Sequence, residues 1–478
     1  MSSINSFFNR TYKKASAVAL ACLLSVLLCC GFFPAAAQAD VRQSDIVSGL
    51  SVESRGLSAS SCPNVVAEYA YVVSDDGTVY FERGADTQTH IASITKVMTA
   101  LVALKYGDPQ STQITVSETA ATIGESSAML QAGDSMNLET ALKALMIPSG
   151  NDAGQAIAES MGDSVRQQLQ DAGDTEVPDN GYDAFVYAMN KKAQELGMTN
   201  SLFANPHGLD IDQHDQEMYS SARDVATMVS EAMKNDLFRS IVAMGSTTIQ
   251  VNRAGATADI PLESTDTLIG TYEGACGVKT GFTEKAGACF AGAVERDGET
   301  LYAIVLNSNS EAQRFVDAQT FYDWVYNNTI SYSLAHSPET TTYEQDGQTS
   351  TVPVVAYVGH SGWIDKTFKA TFADPNAAVD VFALDGNVSQ SFEFDTVNGD
   401  VRAGQKVGTA TFYQHNEVVA TCDIVAAEDC TGPNFFEGIG IWWDRLIRGF
   451  SGGQTVAEST VINTTPLIYG SNATLTQG

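Results

Sequence analysis

Basic residues are scarce in this chain: 26 lysines and arginines stand against 57 aspartates and glutamates in 478 residues, a net charge of -31. Nucleic acid is thereby excluded as an expected partner, because phosphate binding needs clustered Lys and Arg. Long apolar runs are equally scarce. The one candidate, residues 15–33, is short, follows Arg10, Lys13 and Lys14, and precedes the small-residue site Ala37-Gln38-Ala39. That pattern is read as a cleaved export signal over residues 1–39, not as a membrane span. The mature chain is then expected to begin at Asp40, outside the cytoplasm. Losing three of the 26 basic residues and no acidic one leaves 23 against 57, or -34. Closely spaced cysteine pairs are missing too, which argues against a zinc site, and no cofactor or metal is expected. Cys22, Cys29 and Cys30 leave with the signal. Cys62, Cys276, Cys289, Cys422 and Cys430 remain, an odd number that leaves at least one without a partner in the chain.

What is present divides into stretches of different character. About 440 mature residues exceed one ordinary core. Residues 40–62 are polar and serine-rich and read as a linker. A catalytic domain is expected over 63–335, opening with a hairpin turned at Asp76-Gly77. Apolar spacing predicts helices over 93–105, 138–146, 151–161, 183–197 and 221–234, with strands returning around 276–306. A sheet assembled from both ends of this segment and flanked by helices follows. If the strand ending at Phe282-Thr283 returns as Gly287-Ala288-Cys289, Cys276 and Cys289 face each other, and a disulfide between them is expected. Residues 336–430, rich in Val, Thr and Phe with frequent turns, read as a small all-β domain. Residues 431–450 place Phe435, Phe436, Ile439, Trp442, Trp443, Leu446, Ile447 and Phe450 on one helical face, with Glu437, Asp444, Arg445 and Arg448 opposite. Such a helix suits a membrane surface, although amphipathic helices more often face their own core. The polar residues 451–478 read as a disordered tail.

Three short motifs carry the chemistry: Ser93-Ile94-Thr95-Lys96, Ser149-Gly150-Asn151 and Lys279-Thr280-Gly281. Each alone is common; their conjunction describes serine acyl transfer with a lysine base. Ser93 and Lys96, three apart, share one face of a first helical turn. Lys96 can take the hydroxyl proton if burial and a neighbouring cation lower its pKa, and Lys279 can be that cation. Ser149 can relay a proton to the leaving amine, and the Asn151 amide can hold the substrate backbone. Gly281 lets an extended substrate approach the strand, and the Phe282 N–H joins that of Ser93 as an oxyanion hole.

In these motifs the chain resembles the penicillin-recognising serine enzymes. Through Asn205-Pro206-His207-Gly208-Leu209 and the β segment with its trailing helix, it resembles their D-alanyl-D-alanine carboxypeptidases of low molecular weight, over about residues 66–450. The resemblance implies an α+β fold: a β-lactamase/transpeptidase-like catalytic domain, a small all-β domain, and a C-terminal amphipathic helix. It implies removal of the terminal D-alanine from peptidoglycan stem pentapeptides through an acyl-enzyme on Ser93, with β-lactams acylating the same serine. Catalysis is assigned to Ser93, Lys96 and Ser149, and substrate binding to Asn151, Lys279, Thr280, Gly281, Phe282 and Arg314. The implied place is the extracytoplasmic face of the bacterial cell membrane or the cell wall. A surface salt bridge is the competing role for Arg314. A triad role for His207 is set aside because Lys96 fills the base position. Residues 163–182 look like an acidic insertion beside the active-site face, and Cys276 stands where many relatives carry aspartate. A β-lactamase is disfavoured because no Glu-x-x-Leu-Asn segment follows Asn151. A D,D-endopeptidase would usually lack the β domain and helix. A non-catalytic peptidoglycan-binding wall protein would have lost Ser93, Lys96 or Lys279.

Overall fold

The computed structural model describes residues 41–345 and 348–468. The expected export signal and the start at Asp40 therefore lie outside the described residues, as does the end of the tail, 469–478. The chain forms two compact units. The first comprises Asn64–Asp76 and Arg83–Thr320; the second comprises Gln43–Pro63, Gly77–Glu82 and Phe321–Gly478.

The first unit is built from both ends of its segment. In chain order its main elements are β1 (Tyr69–Ser74), α1 (Lys96–Tyr106), α2 (Leu138–Met146), α3 (Asn151–Asp171), α4 (Gly181–Glu195) and α5 (Ala222–Met233). Then come β2 (Ala275–Thr283), β3 (Gly287–Arg296), β4 (Glu299–Ser308) and α6 (Gln313–Asn328), whose first half belongs to this unit. The strands run β1-β4-β3-β2, all antiparallel. Strands β3 and β4 are buried almost end to end, as strands covered on both faces must be. Asn137, Asn180 and Ser221 cap α2, α4 and α5 by accepting backbone N–H bonds, which sets where those helices start. A second sheet of four strands (113–115, 135–137, 246–253 and 256–263) was not foreseen. Its longest strands alternate exposed and buried residues, so only half of each carries an apolar signal.

Several expectations need correction. Residues 40–62 are not a bare linker: Ile46–Val47 pairs with Leu50–Ser51 and with Phe81–Glu82, and Val47 and Val52 are fully buried. Arg55 donates to the carbonyls of Val47, Ser48 and Leu384 and pairs with Asp385, which ties this segment into the second unit. That unit consequently takes over at Phe321, not near 336. Residues 163–182 do not form an insertion beside the active site. Residues up to Asp171 continue α3, and at about 1.5 Å per residue its end lies roughly 30 Å from Asn151. Asp174, in the loop that follows, accepts from Tyr187 and pairs with Lys191 on α4. The Cys276–Cys289 disulfide is absent and both thiols are free. The turn falls after Thr283, so Cys289 faces Gly281, whereas Cys276 lies beside the irregularity at Ala293 and Val294.

The second unit is a β domain with a core of Phe368, Phe372, Phe412, Val355, Val358 and Ile424. Its six-stranded sheet includes a strand from the tail: Thr460–Val461 pairs with Ala356 and Tyr357. Residues 456–468 are therefore ordered, contrary to the expectation for 451–478. Ile468 joins the core, and buried Asn463 accepts from His336 N and donates to Leu334 O and to Gln390 Oε1. Between the domain and this returning strand runs α7 (Phe435–Ser451), opened by an Asn434/Glu437 capping box. None of its residues is buried, although Gly438, Gly440 and Gly449 lie within it.

Candidate active site

Ser93 sits on a 3-10 turn, Ala92–Thr95, that leads directly into α1 at Lys96. The wholly buried Lys96 Nζ lies 2.6 Å from Ser93 Oγ and 3.3 Å from Ser149 Oγ. It donates to Asn151 Oδ1 at 2.7 Å and to the His207 carbonyl at 3.0 Å. Burial, reinforced by repulsion from Lys279, pushes the Lys96 pKa well below its ordinary value; Asp152 pulls the other way. Asn151 Oδ1 and His207 O can only accept. They occupy both N–H bonds of a neutral amine and leave its lone pair for the Ser93 hydroxyl proton.

Three chain segments converge to make this arrangement. Ser149, at φ 65°, occupies the left-handed turn between α2 and α3, and Asn151 is the first residue of α3. Asn151 Nδ2 donates to Gly124 O at 3.0 Å and its backbone N to Ser126 O at 2.8 Å, so the amide expected on substrate also staples the neighbouring loop. Lys279 lies in β2, 1 % exposed, and donates to Thr280 O. Burial first, then the charge of Arg314, pushes its pKa down to about 7, opposed by Asp266. Thr280 Oγ1 is 2.6 Å from Thr265 Oγ1. Arg314 is buried; it donates to Gly281 O at 3.1 Å and pairs with exposed Glu311 at 3.2 Å. The surface salt bridge weighed for it thus exists, but on a guanidinium that lines the cleft.

Two glycines fix Ser93 against the strand. A Cβ on Gly281 would stand 2.7 Å from Ile91 O and 3.3 Å from Ser93 N. One on Gly208, at φ +87°, would stand 2.0 Å from Ala92 O. The cleft so formed measures about 320 Å³ and is lined by Ser93, Ser149, Asn151, Thr280, Gly281, Phe282 and Arg314 together. Every residue assigned from the sequence is thus in this one place except the two lysines, which lie beneath it. His207 reaches Lys96 through its carbonyl, while burial pushes its imidazole pKa well below the ordinary value.

Sequence reasoning missed Thr265, the Gly208 contact and two buried acids. Asp152 accepts from Ser127 Oγ, Ala128 N and Leu130 N and so shapes the loop beside Ser149. Asp266, its carboxyl pushed up to about 6 by burial, opposes the charges of Lys279 and Arg314. Asp152 directly follows the Ser-Gly-Asn motif and was open to notice there; Asp266 has no local signal.

A family model described as D-alanyl-D-alanine carboxypeptidase matches residues 57–171 and 176–310. The chain belongs to this family. The match breaks over 172–175, the loop after α3, and ends before Arg314. Among relatives, the D-alanyl-D-alanine carboxypeptidase DacF of Bacillus subtilis is 28 % identical over 367 residues, covering 76 % of this chain and 85 % of its own. The carboxypeptidase of Streptomyces sp. strain K15 is 30 % identical over 264 residues, covering 54 % of this chain and 86 % of its own. A solved cysteine-to-alanine variant of the Streptomyces K15 DD-transpeptidase superposes at a TM-score of 0.50 and 29 % identity, covering 55 % of this chain and 99 % of that one. The α+β transpeptidase-like fold and the serine-peptidase class of this carboxypeptidase follow from these matches.

Proposed function

We propose that the protein removes the terminal D-alanine from peptidoglycan stem pentapeptides, using Ser93 as nucleophile and neutral Lys96 as its base. The observation that carries this reading is the 2.6 Å approach of Ser93 Oγ to a buried lysine whose other bonds are spoken for. Ser93 Oγ attacks the carbonyl between the two D-alanines as its proton passes to Lys96. The N–H groups of Ser93 and Phe282 stabilise the oxyanion. Ser149 passes a proton to the departing amine, D-alanine leaves, and water then hydrolyses the ester on Ser93. Lys279, Thr280 and Arg314 hold the terminal carboxylate of the substrate. A β-lactam would acylate Ser93 by the same first step.

The same reading places the enzyme outside the cytoplasm, at a membrane surface. No helix among the described residues is long and apolar enough to cross a membrane. Instead, α7 exposes Phe435, Phe436, Trp442, Trp443, Ile447 and Phe450, each more than half accessible. Aromatic side chains on an interfacial helix bury into the headgroup region. Arg445, counted in the sequence among the lipid-side charges, donates to Ser361 O and so belongs to the attachment of the helix.

The test is incubation of the mature protein and its Ser93→Ala variant with a fluorescent penicillin and with diacetyl-lysyl-D-alanyl-D-alanine. Labelling and D-alanine release that both vanish in the variant support the carboxypeptidase. Labelling without release would turn the assignment toward a transpeptidase or endopeptidase.

A further inference from the structure

The cleft is electrically polarised. Its floor and one end are cationic, with Lys96 and Lys279 beneath and Arg314 at the wall. Its rim is acidic, with Glu125, Glu284 and Glu311 among the lining residues. Glu311 is committed to Arg314. Glu125 and Glu284 are in no ion pair among the described residues, and the cation adjoining Glu284, Lys285, is taken by Asp215. Two carboxylates left uncompensated in a ligand cleft are poor partners for an anion and good ones for an ammonium.

The strand geometry says which part of a peptide would meet them. β2 is the last strand of its sheet, so its outer edge is open to an added strand. A peptide whose carboxylate ends at Thr280 and Arg314, with its scissile carbonyl at Ser93, continues past Phe282 and Thr283 toward Glu284. Glu125 approaches from the loop that Asn151 staples at Gly124 and Ser126. The residue immediately before the two D-alanines therefore projects its side chain into the acidic rim.

Resting on the carboxypeptidase reading, we propose that Glu125 and Glu284 make the enzyme selective for stem peptides whose third residue is a diamino acid with a free side-chain amine. A cationic floor and an acidic rim match a peptide with a carboxylate at its end and an ammonium two residues earlier. Exposed pairs of this kind are individually weak, so the selectivity is a matter of several-fold for each carboxylate.

The experiment compares D-alanine release, as kcat/KM, from three peptides: Nα-acetyl-lysyl-D-alanyl-D-alanine, its Nε-acetyl form and its Nε-succinyl form. They present a cation, a neutral amide and a carboxylate at the same place. The expected order is amine, amide, carboxylate, with about threefold or more at each step in low salt and smaller steps at about 0.5 M salt. In the Glu125→Gln/Glu284→Gln double variant the three values should come together. The readout is a ratio within one preparation, so partial loss of folded protein cannot imitate it. Equal values in the wild type, or an unchanged order in the double variant, would overturn this inference alone. Release from none of the three would overturn the carboxypeptidase reading and this inference with it.

Discussion

The floor of the cleft and the surface of α7 are opposites, and each inverts the usual distribution of side chains. In the cleft, Lys96 and Lys279 are 0 % and 1 % exposed; on α7, Phe436 and Phe450 are 81 % and 86 % exposed. Ordinary folding puts charge in water and large apolar groups inside. Burial converts Lys96 into a neutral amine next to a hydroxyl, so the misplaced charge is the catalyst. Exposure on α7 leaves apolar area that only another apolar phase can cover. Both departures disfavour folding locally, and each marks a contact made with something other than the protein.

If that comparison is sound, each side breaks separately. The largest effect belongs to the cleft. Lys96→Met keeps the volume and apolar contacts but removes the base, and penicillin acylation should fall by about 10²–10⁴-fold, measured by labelling kinetics. The melting temperature should stay level or rise, because an expensive buried amine is gone. Lys279 gives the matching pH signature. Between about 7 and 10.5 the folded protein holds fewer protons on this side chain than the unfolded chain does, so stability should climb as pH rises across that window. Lys279→Met should flatten the climb in melting curves taken from pH 7 to about 9.

The other side breaks at the tryptophans. Trp442→Ala/Trp443→Ala should lower co-sedimentation with lipid vesicles by about tenfold or more. D-alanine release from a soluble tripeptide should not change, because α7 contributes nothing to the cleft lining. Retained vesicle binding would end the analogy between the two regions. A smaller effect tests how Ser93 is held. Gly208→Ala puts a methyl against Ala92 O at a left-handed backbone position, and should cost about 2–3 kcal/mol in denaturant unfolding. Acylation of the folded fraction should slow as well.

The motifs made the catalytic site legible because acyl transfer needs particular groups at fixed chain spacing. Ser93 and Lys96 one turn apart, Ser149 and Asn151 at a helix start, and Lys279 to Gly281 in a strand could each be read locally. Long-range consequences could not. Thr265 reaches Thr280 and the carbonyl of His207 reaches Lys96 only after the chain has folded, and neither a threonine nor a backbone carbonyl announces itself. The disulfide failed for a related reason: a turn placed a few residues early shifts every cross-strand pair, and Cys276 lost its partner with it. In the second unit, frequent Val, Thr and Phe revealed the β domain. Short polar stretches concealed the strands at 46–47, 50–51 and 460–461, because two-residue strands on a sheet edge leave almost no apolar pattern.

The tail strand provides the finest test of the contrast. Buried Asn463 joins four partners in the second unit: it accepts from His336 N, donates to Leu334 O and Gln390 Oε1, and its carbonyl accepts from Gln390 Nε2. Asn463→Ala would strand His336 N and the Leu334 carbonyl in a buried place, at a cost of about 1–3 kcal/mol in unfolding free energy. Catalysis on a soluble peptide should be untouched, since the first unit alone supplies the site. If α7 acts because both its ends are fixed to the β domain, vesicle binding should weaken in step with the loss of protection at Thr460 and Val461 in hydrogen exchange. Full binding by a variant whose tail exchanges freely would show that exposed apolar area alone is enough, and would make the returning strand a stabiliser of the domain rather than of the helix.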